Sequence, residues 1–244
     1  MRNSNLKKTE RLADISFFAG KINFNLKGKE GNTCTIIKHI ELEPTSSLQN
    51  KDNYFAILNG FDITSVDDAD KLQLLKINIE NPIYDKAKNK ILVTVEASLN
   101  TDCKSLECNW KHNDFNYELD VHYLIIGGNK NEISQQQIPY HKKLNWNKET
   151  EIYSTPTTKN IAIEPSFTNG FLAYKSISVQ IDHEQHYLGF ENSIDSVFIN
   201  NKTNMLQFSM NLFYSNWTKN MKQSVASGKQ AWFAYRSAGW CVQE

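Results

Sequence analysis

The sequence predicts an all-β protein built as two antiparallel β-sandwich units related by an internal repeat, with an N-terminal arm in front of them. Three observations carry this. Apolar and polar residues alternate strictly through several nine-residue windows, no window shows a helical stripe capped at both ends, and strands of similar character recur after about 115 residues. In the clearest window Ile91, Val93, Val95, Ala97 and Leu99 share one face, with Thr94, Glu96 and Ser98 on the other. Period two means strands with one face buried and one wet, which suits packed antiparallel sheets better than buried parallel ones.

In chain order, residues 1–19 read as the arm. A charged stretch containing Lys7, Lys8, Glu10 and Arg11 precedes the cluster Ile15, Ser16, Phe17 and Phe18. Lys8–Ala13 is the one candidate helix. Adjacent exposed phenylalanines usually mark an interaction site, so Ile15, Phe17 and Phe18 are candidate assembly residues. They either cap their own sandwich or lie on the sheet edge of a neighbouring copy.

The first unit is expected over residues 20–128. Its candidate strands are Lys21–Lys27, Thr33–Leu42, Phe55–Thr64, Leu72–Ile79, Ile91–Leu99 and Tyr117–Ile125. Residues 129–166 read as a connection with additional strands at Glu151–Ser154 and Asn160–Glu164. The second unit is expected over residues 167–244, with strands at Phe171–Gln180, Leu206–Tyr214 and Lys229–Ser237. The repeat sets Phe55 on Phe171, Ile79 on Ile194, Asn89 on Asn204 and Tyr123 on Tyr235. Ile91, Val93 and Val95 then fall on Leu206, Phe208 and Met210. Asparagine, about one residue in nine, concentrates between the apolar runs, where it tolerates left-handed backbone and takes the place of Gly and Pro in turns.

The order of elements in each unit carries a resemblance. An aromatic-led strand ends in a turn (Phe55–Asp62), and a polar stretch follows (Asp67–Lys71, and Asp182–His186 in the second unit). A long strand, an Asn-marked turn, an alternating strand and a closing strand complete the series. This order resembles the H-type lectin kind of six-stranded β-sandwich found in bacterial and phage-associated proteins. The resemblance implies oligomerisation and glycan binding, and assigns no individual site residue.

Charge excludes several functions. The formal net charge is zero at pH 7, so the balance is that of neither a basic nucleic-acid binder nor a polybasic membrane-surface protein. A neutral chain lacks colloidal repulsion, which favours self-association. No stretch approaches the roughly 18 apolar residues of a membrane span, and the N-terminus has no signal-peptide core. Synthesis in the cytoplasm is the expectation, with any release by a non-classical route.

Candidate site residues come from loops. Trp110, Trp146 and Trp217 sit among Asn and Lys; an indole beside amides suits a sugar ring, a protein interface, or folding back onto the core. Asp182, His183 and His186 gather at a strand end, where a solvated turn and a cation site are both open readings. Cys103 and Cys108 allow a small disulfide loop, free thiols or two zinc ligands, but zinc wants four and only His112 lies near. No nucleophile elbow and no phosphate-cradling Gly-rich loop occurs. The sequence therefore predicts no enzyme, no cofactor and no tightly held metal. It predicts a lectin-like recognition protein whose partners are itself and glycans, or else a structural or assembly subunit of a filament, crystal, tube or toxin complex.

Overall fold

The computed structural model describes residues 9–11, 15–29, 31–44, 48, 51, 53–66, 72–101, 114–129, 133–147, 152–154, 157–162, 169–181, 187–200, 202–203, 205–216, 224–235 and 238–241. They contain strands and no helix. In chain order the strands are β1 (Thr9–Arg11), β2 (Ser16–Lys29), β3 (Cys34–Leu42), β4 (Asn53–Ser65), β5 (Leu72–Ile79), β6 (Ile83–Asp85), β7 (Lys90–Thr101) and β8 (Asp114–Gly128). There follow β9 (Ile133–Asn147), β10 (Ile152–Ser154), β11 (Thr157–Ala162), β12 (Asn169–Ile181), β13 (Tyr187–Asn200), β14 (Met205–Asn216), β15 (Ser224–Tyr235) and β16 (Ala238–Cys241). Every pairing between them is antiparallel. Among the described residues no helix is long and apolar enough to cross a membrane.

In the first half, β8 lies between β2 and β4, while β7 lies between β3 and β5–β6. The two sheets face each other across one core. Phe24 and Leu26 of β2, Ala56 of β4, Ile77 and Ile79 of β5, Val93, Val95 and Ala97 of β7, and Leu119 and Val121 of β8 have essentially no exposure. These are the alternate residues of each strand, as a half-buried sheet demands. With β5 and β6 counted as one interrupted strand, the order within the half is 1-6-3 on one sheet and 2-5-4 on the other. The sandwich is nearly closed. Between β2 and β3 the remaining gap is crossed by Lys38, whose Nζ donates to the Asn23 carbonyl at 2.6 Å, a lysine blunting a bare strand edge.

In the second half β15 lies between β9 and β12, and β14 lies between β10–β11 and β13. Residues 129–166, expected as a connection with additional strands, supply β9, β10 and β11, with β9 beside β15 and β10 and β11 beside β14. Strand β9 escaped the pattern because its sequence, ISQQQIPYHKKLNWN, hardly alternates. Leu58 of β4 faces Tyr123 of β8, and Tyr174 of β12 faces Gln230 of β15.

The halves join through β12. Leu58 of β4 pairs with Tyr174, and beyond it Ser176–Gln180 pair with Asn78–Leu74 of β5. A continuous sheet β2-β8-β4-β12-β15-β9 results. At the junction its outer side carries a second apolar cluster of Phe55, Ile57, Ile126 and Ile133, with Leu124, Phe171, Ala173 and Ile15 packed on it.

The N-terminal segment differs from the expected arm. Strand β2 starts at Ser16, so residues 16–19 belong to a long strand paired with β8. Within the candidate helix Lys8–Ala13, Thr9–Arg11 form β1, which pairs with β16 near the C-terminus. A single turn has a costly helical nucleus, and a waiting strand edge offers the same backbone bonds more cheaply.

Candidate functional site

Position along β4 is reset by a bulge. Phe55 and Ile57 point to the outer side, but Leu58 pairs with Tyr123 and Gly60 with His122, leaving Asn59 as the extra residue. The parity of the strand changes there. Phe61 and Ile63 consequently pack on the core, and Asp62 and Thr64 turn outward. Gly60 holds φ at 154°, a conformation that side chains rarely adopt.

This reset aligns polar residues from three strands on the outer face. Asn23 of β2, Asp120 of β8 and Asp62 of β4 stand in one row, and Lys21 and His122 stand in the next. Lys21 Nζ donates to Asp120 Oδ2 at 2.7 Å, and Asn23 Nδ2 donates to Asp120 Oδ1 at 3.0 Å. His122 Nε2 donates to Asp62 Oδ2 at 3.1 Å. Two carboxylates directly opposite each other repel, and the flanking cation and imidazole offset this. The hydrogen bond from Lys21, then that from Asn23, holds the Asp120 carboxyl below its usual range, and Asp120 in turn raises Lys21. The cluster is open to solvent: the Asp62 side chain retains 78% of its exposure.

Further along the same face the character changes. Lys21 is followed toward the N-terminus by Ala19, opposite Leu124, and then by Phe17, opposite Ile126. Phe17 is 57% exposed. A bare aromatic ring therefore shares a sheet face with the ammonium of Lys21, roughly 13 Å along the strand, and with the carboxylates and amide of the Asn23 row, roughly 20 Å along it at about 3.3 Å per residue.

The structure distributes the residues singled out from sequence as follows. Ile15 packs into the junction cluster and Phe18 against the main core, leaving Phe17 as the outward member of the trio. Trp146, expected in a loop, lies in β9 with its backbone opposite Tyr153 of β10, where β9 pairs with β10 and β15. Trp110, Trp217, Asp182, His183, His186, Cys103 and Cys108 lie outside the described residues. Among the described residues no group of three His, Cys, Asp or Glu is placed to hold a metal ion.

Sequence reasoning did not find the ladder of Lys21, Asn23, Asp62, Asp120 and His122. Half of the signal was present, since Asp120 and His122 occupy the wet face of an alternating strand. Their partners sit 60 and 99 residues away, at distances that no local pattern reports. Compared with known proteins, the chain matches no family model, no curated protein and no solved structure.

Proposed function

We propose that this protein is a non-enzymatic, lectin-like recognition protein that binds glycan hydroxyls on the outer face of β2, β8 and β4, as a self-associating oligomer. One observation carries the reading: the exposed Asp62 and half-buried Asp120 carboxylates and the Asn23 amide, already oriented by hydrogen bonds, lie on the same sheet face as the exposed Phe17. Sugar rings present hydroxyls that donate to carboxylates and accept from amides, and an apolar C–H face that stacks on an aromatic ring. A shallow face of this kind binds single sugars weakly, which multivalency compensates. Binding of the full chain to an immobilised glycan panel tests the reading, with Asp120→Ala as the comparison. Loss of signal from a folded Asp120→Ala variant supports it. Silence of the wild-type chain across the panel, or equal binding by both proteins, overturns it.

The alternative function, a structural or assembly subunit, draws on a different feature. Among the described residues β2 pairs with β8 alone, and this fourteen-residue strand presents Phe17 outward near one end. Lys38 blunts this edge at Asn23, and the stretch before it, with Phe17 outward, is the part left to template another chain. Light scattering on a size-exclusion column tests it, and a clean monomer at high concentration refutes it.

A further inference from the structure

The two halves agree in register and not merely in strand order. Strands β4 and β12 each span thirteen residues and each carries one bulge, between Leu58 and Gly60 and between Tyr174 and Ser176. These positions are 116 residues apart. Ile79 faces Val95 and Ile194 faces Met210, both pairs displaced by 115. The irregularity between Leu72 and Leu74 against β7 recurs, at the same displacement, between Tyr187 and Gly189 against β14. A bulge is an inserted residue at one defined place in a ladder. Evenly spaced strands alone give no reason for two bulges to coincide.

The junction adds a second kind of observation. Leu58 faces Tyr174, and the displacement of 116 makes these two residues equivalents of each other. In an antiparallel pair related by a two-fold axis, the residue on the axis faces its own copy. The cluster outside the junction has matched membership too, Phe55 with Phe171 and Ile57 with Ala173. We infer that the chain is a covalently joined dimer of one six-stranded unit, whose halves meet edge to edge across a pseudo-two-fold axis through the Leu58·Tyr174 pair. The partner that the β4 edge takes is another copy of the same unit, here supplied by β12.

Two departures from symmetry occur, one in composition and one in pairing. The positions matching Asn23, Asp62, Asp120 and His122 hold His141, Ser178, Ser227 and Lys229, so the carboxylates of the outer ladder belong to the first half alone. The second departure is in pairing. Where β5 meets β12, Lys76 faces Ser178. The symmetric contact of β4 with β13 would set Asp62 opposite Glu191, and like charges directly opposite disfavour a ladder. Among the described residues that second contact is not formed.

Distances between spin labels on the full chain test the inference, after Cys34, Cys103, Cys108 and Cys241 are replaced by serine and the fold is checked by circular dichroism. A two-fold axis requires the separation in Asn25→Cys/Ser178→Cys to equal that in Lys143→Cys/Asp62→Cys. Likewise Lys27→Cys/Gln180→Cys must equal Asn145→Cys/Thr64→Cys, a second comparison that stands if one variant of the first set misfolds. Mean distances that coincide within the width of their distributions are expected. Means resolved from each other in either comparison overturn the pseudo-two-fold arrangement, because tandem copies related by translation or by an arbitrary docking do not produce the equality.

Discussion

Substitution of Val95 probes the core that holds the outer ladder in place. Val95 has no exposure and sits mid-strand in β7, between Lys38 of β3 and Ile79 of β5. Val95→Ala removes two methyl groups, worth about 1.6 kcal/mol by transfer, and leaves a cavity that brings the loss to roughly 2–3 kcal/mol. Val95→Thr preserves the shape but buries a hydroxyl, costing about 1–3 kcal/mol where no partner is gained. Val95→Asp loses both apolar contact and solvation, for about 3–5 kcal/mol with the carboxyl neutral. Against a total stability of roughly 5–15 kcal/mol, that is a large fraction. The last variant also acquires a pH signature. Burial raises the introduced carboxyl's pKa above its unfolded value near 4, so its loss is smallest below that pH. The loss then grows by about 1.4 kcal/mol per pH unit until the folded pKa is passed. Urea unfolding followed by fluorescence at several pH values reads these numbers, with Ile37→Thr as a control, because Ile37 is 55% exposed on the neighbouring strand. Equal midpoints for Val95→Asp and the wild-type chain, or a control as damaging as the core variant, would refute the assignment of faces.

Gly20 lies under Tyr123, and a β-carbon there would land on the ring. Gly20→Val should therefore lower stability by about 1–3 kcal/mol, and pairing it with Tyr123→Leu should cost less than the sum of the single changes in thermal unfolding. Asp120, held low by its hydrogen bonds from Lys21 and Asn23, should titrate below the usual 3.8 in an NMR pH series, and Lys21→Met should move its midpoint upward. Its favourable contribution is present above the unfolded pKa and fades as pH falls through the folded one; an unchanged midpoint in Lys21→Met would rule out the pair. Phe17→Asp should leave the unfolding midpoint within about 0.5 kcal/mol of wild type while reducing self-association measured by light scattering. Undiminished oligomers would move the contact elsewhere.

The fold was legible where one face of a strand is dry and the other wet. Ile91–Leu99 and Tyr117–Ile125 announce themselves, because burial imposes period two on them. Strand β9 has no such imprint, and β13 carries a bulge that breaks its period between Ile194 and Ser196; neither was placed from local pattern. The same limit applied at β4, where a single bulge at Asn59 decides whether Asp62 faces water or the core. The candidate site was less legible still. Asp120 reads as an ordinary wet-face residue until β2 and β4 are laid beside it. Cross-strand register, which creates the ladder, is a property of pairing over long sequence distances. Trp110, Trp146, Trp217 and the run Asp182–His186 stand out because tryptophan is rare and two histidines and two carboxylates cluster within five residues, whereas Lys21, Asn23, Asp62, Asp120 and His122 are scattered over three strands.

The central claim is that the outer face of β2, β8 and β4 recognises hydroxyl-rich ligands. Amide NMR of the full chain, titrated with methyl glycosides of galactose, N-acetylgalactosamine, glucose, mannose and fucose up to tens of millimolar, tests it most directly. Saturable shifts are expected for at least one of these sugars at Phe17, Lys21, Asn23, Asp62, Asp120 and His122, abolished in Asp120→Ala. Shifts confined to the second half, or none with any of the five, would contradict it.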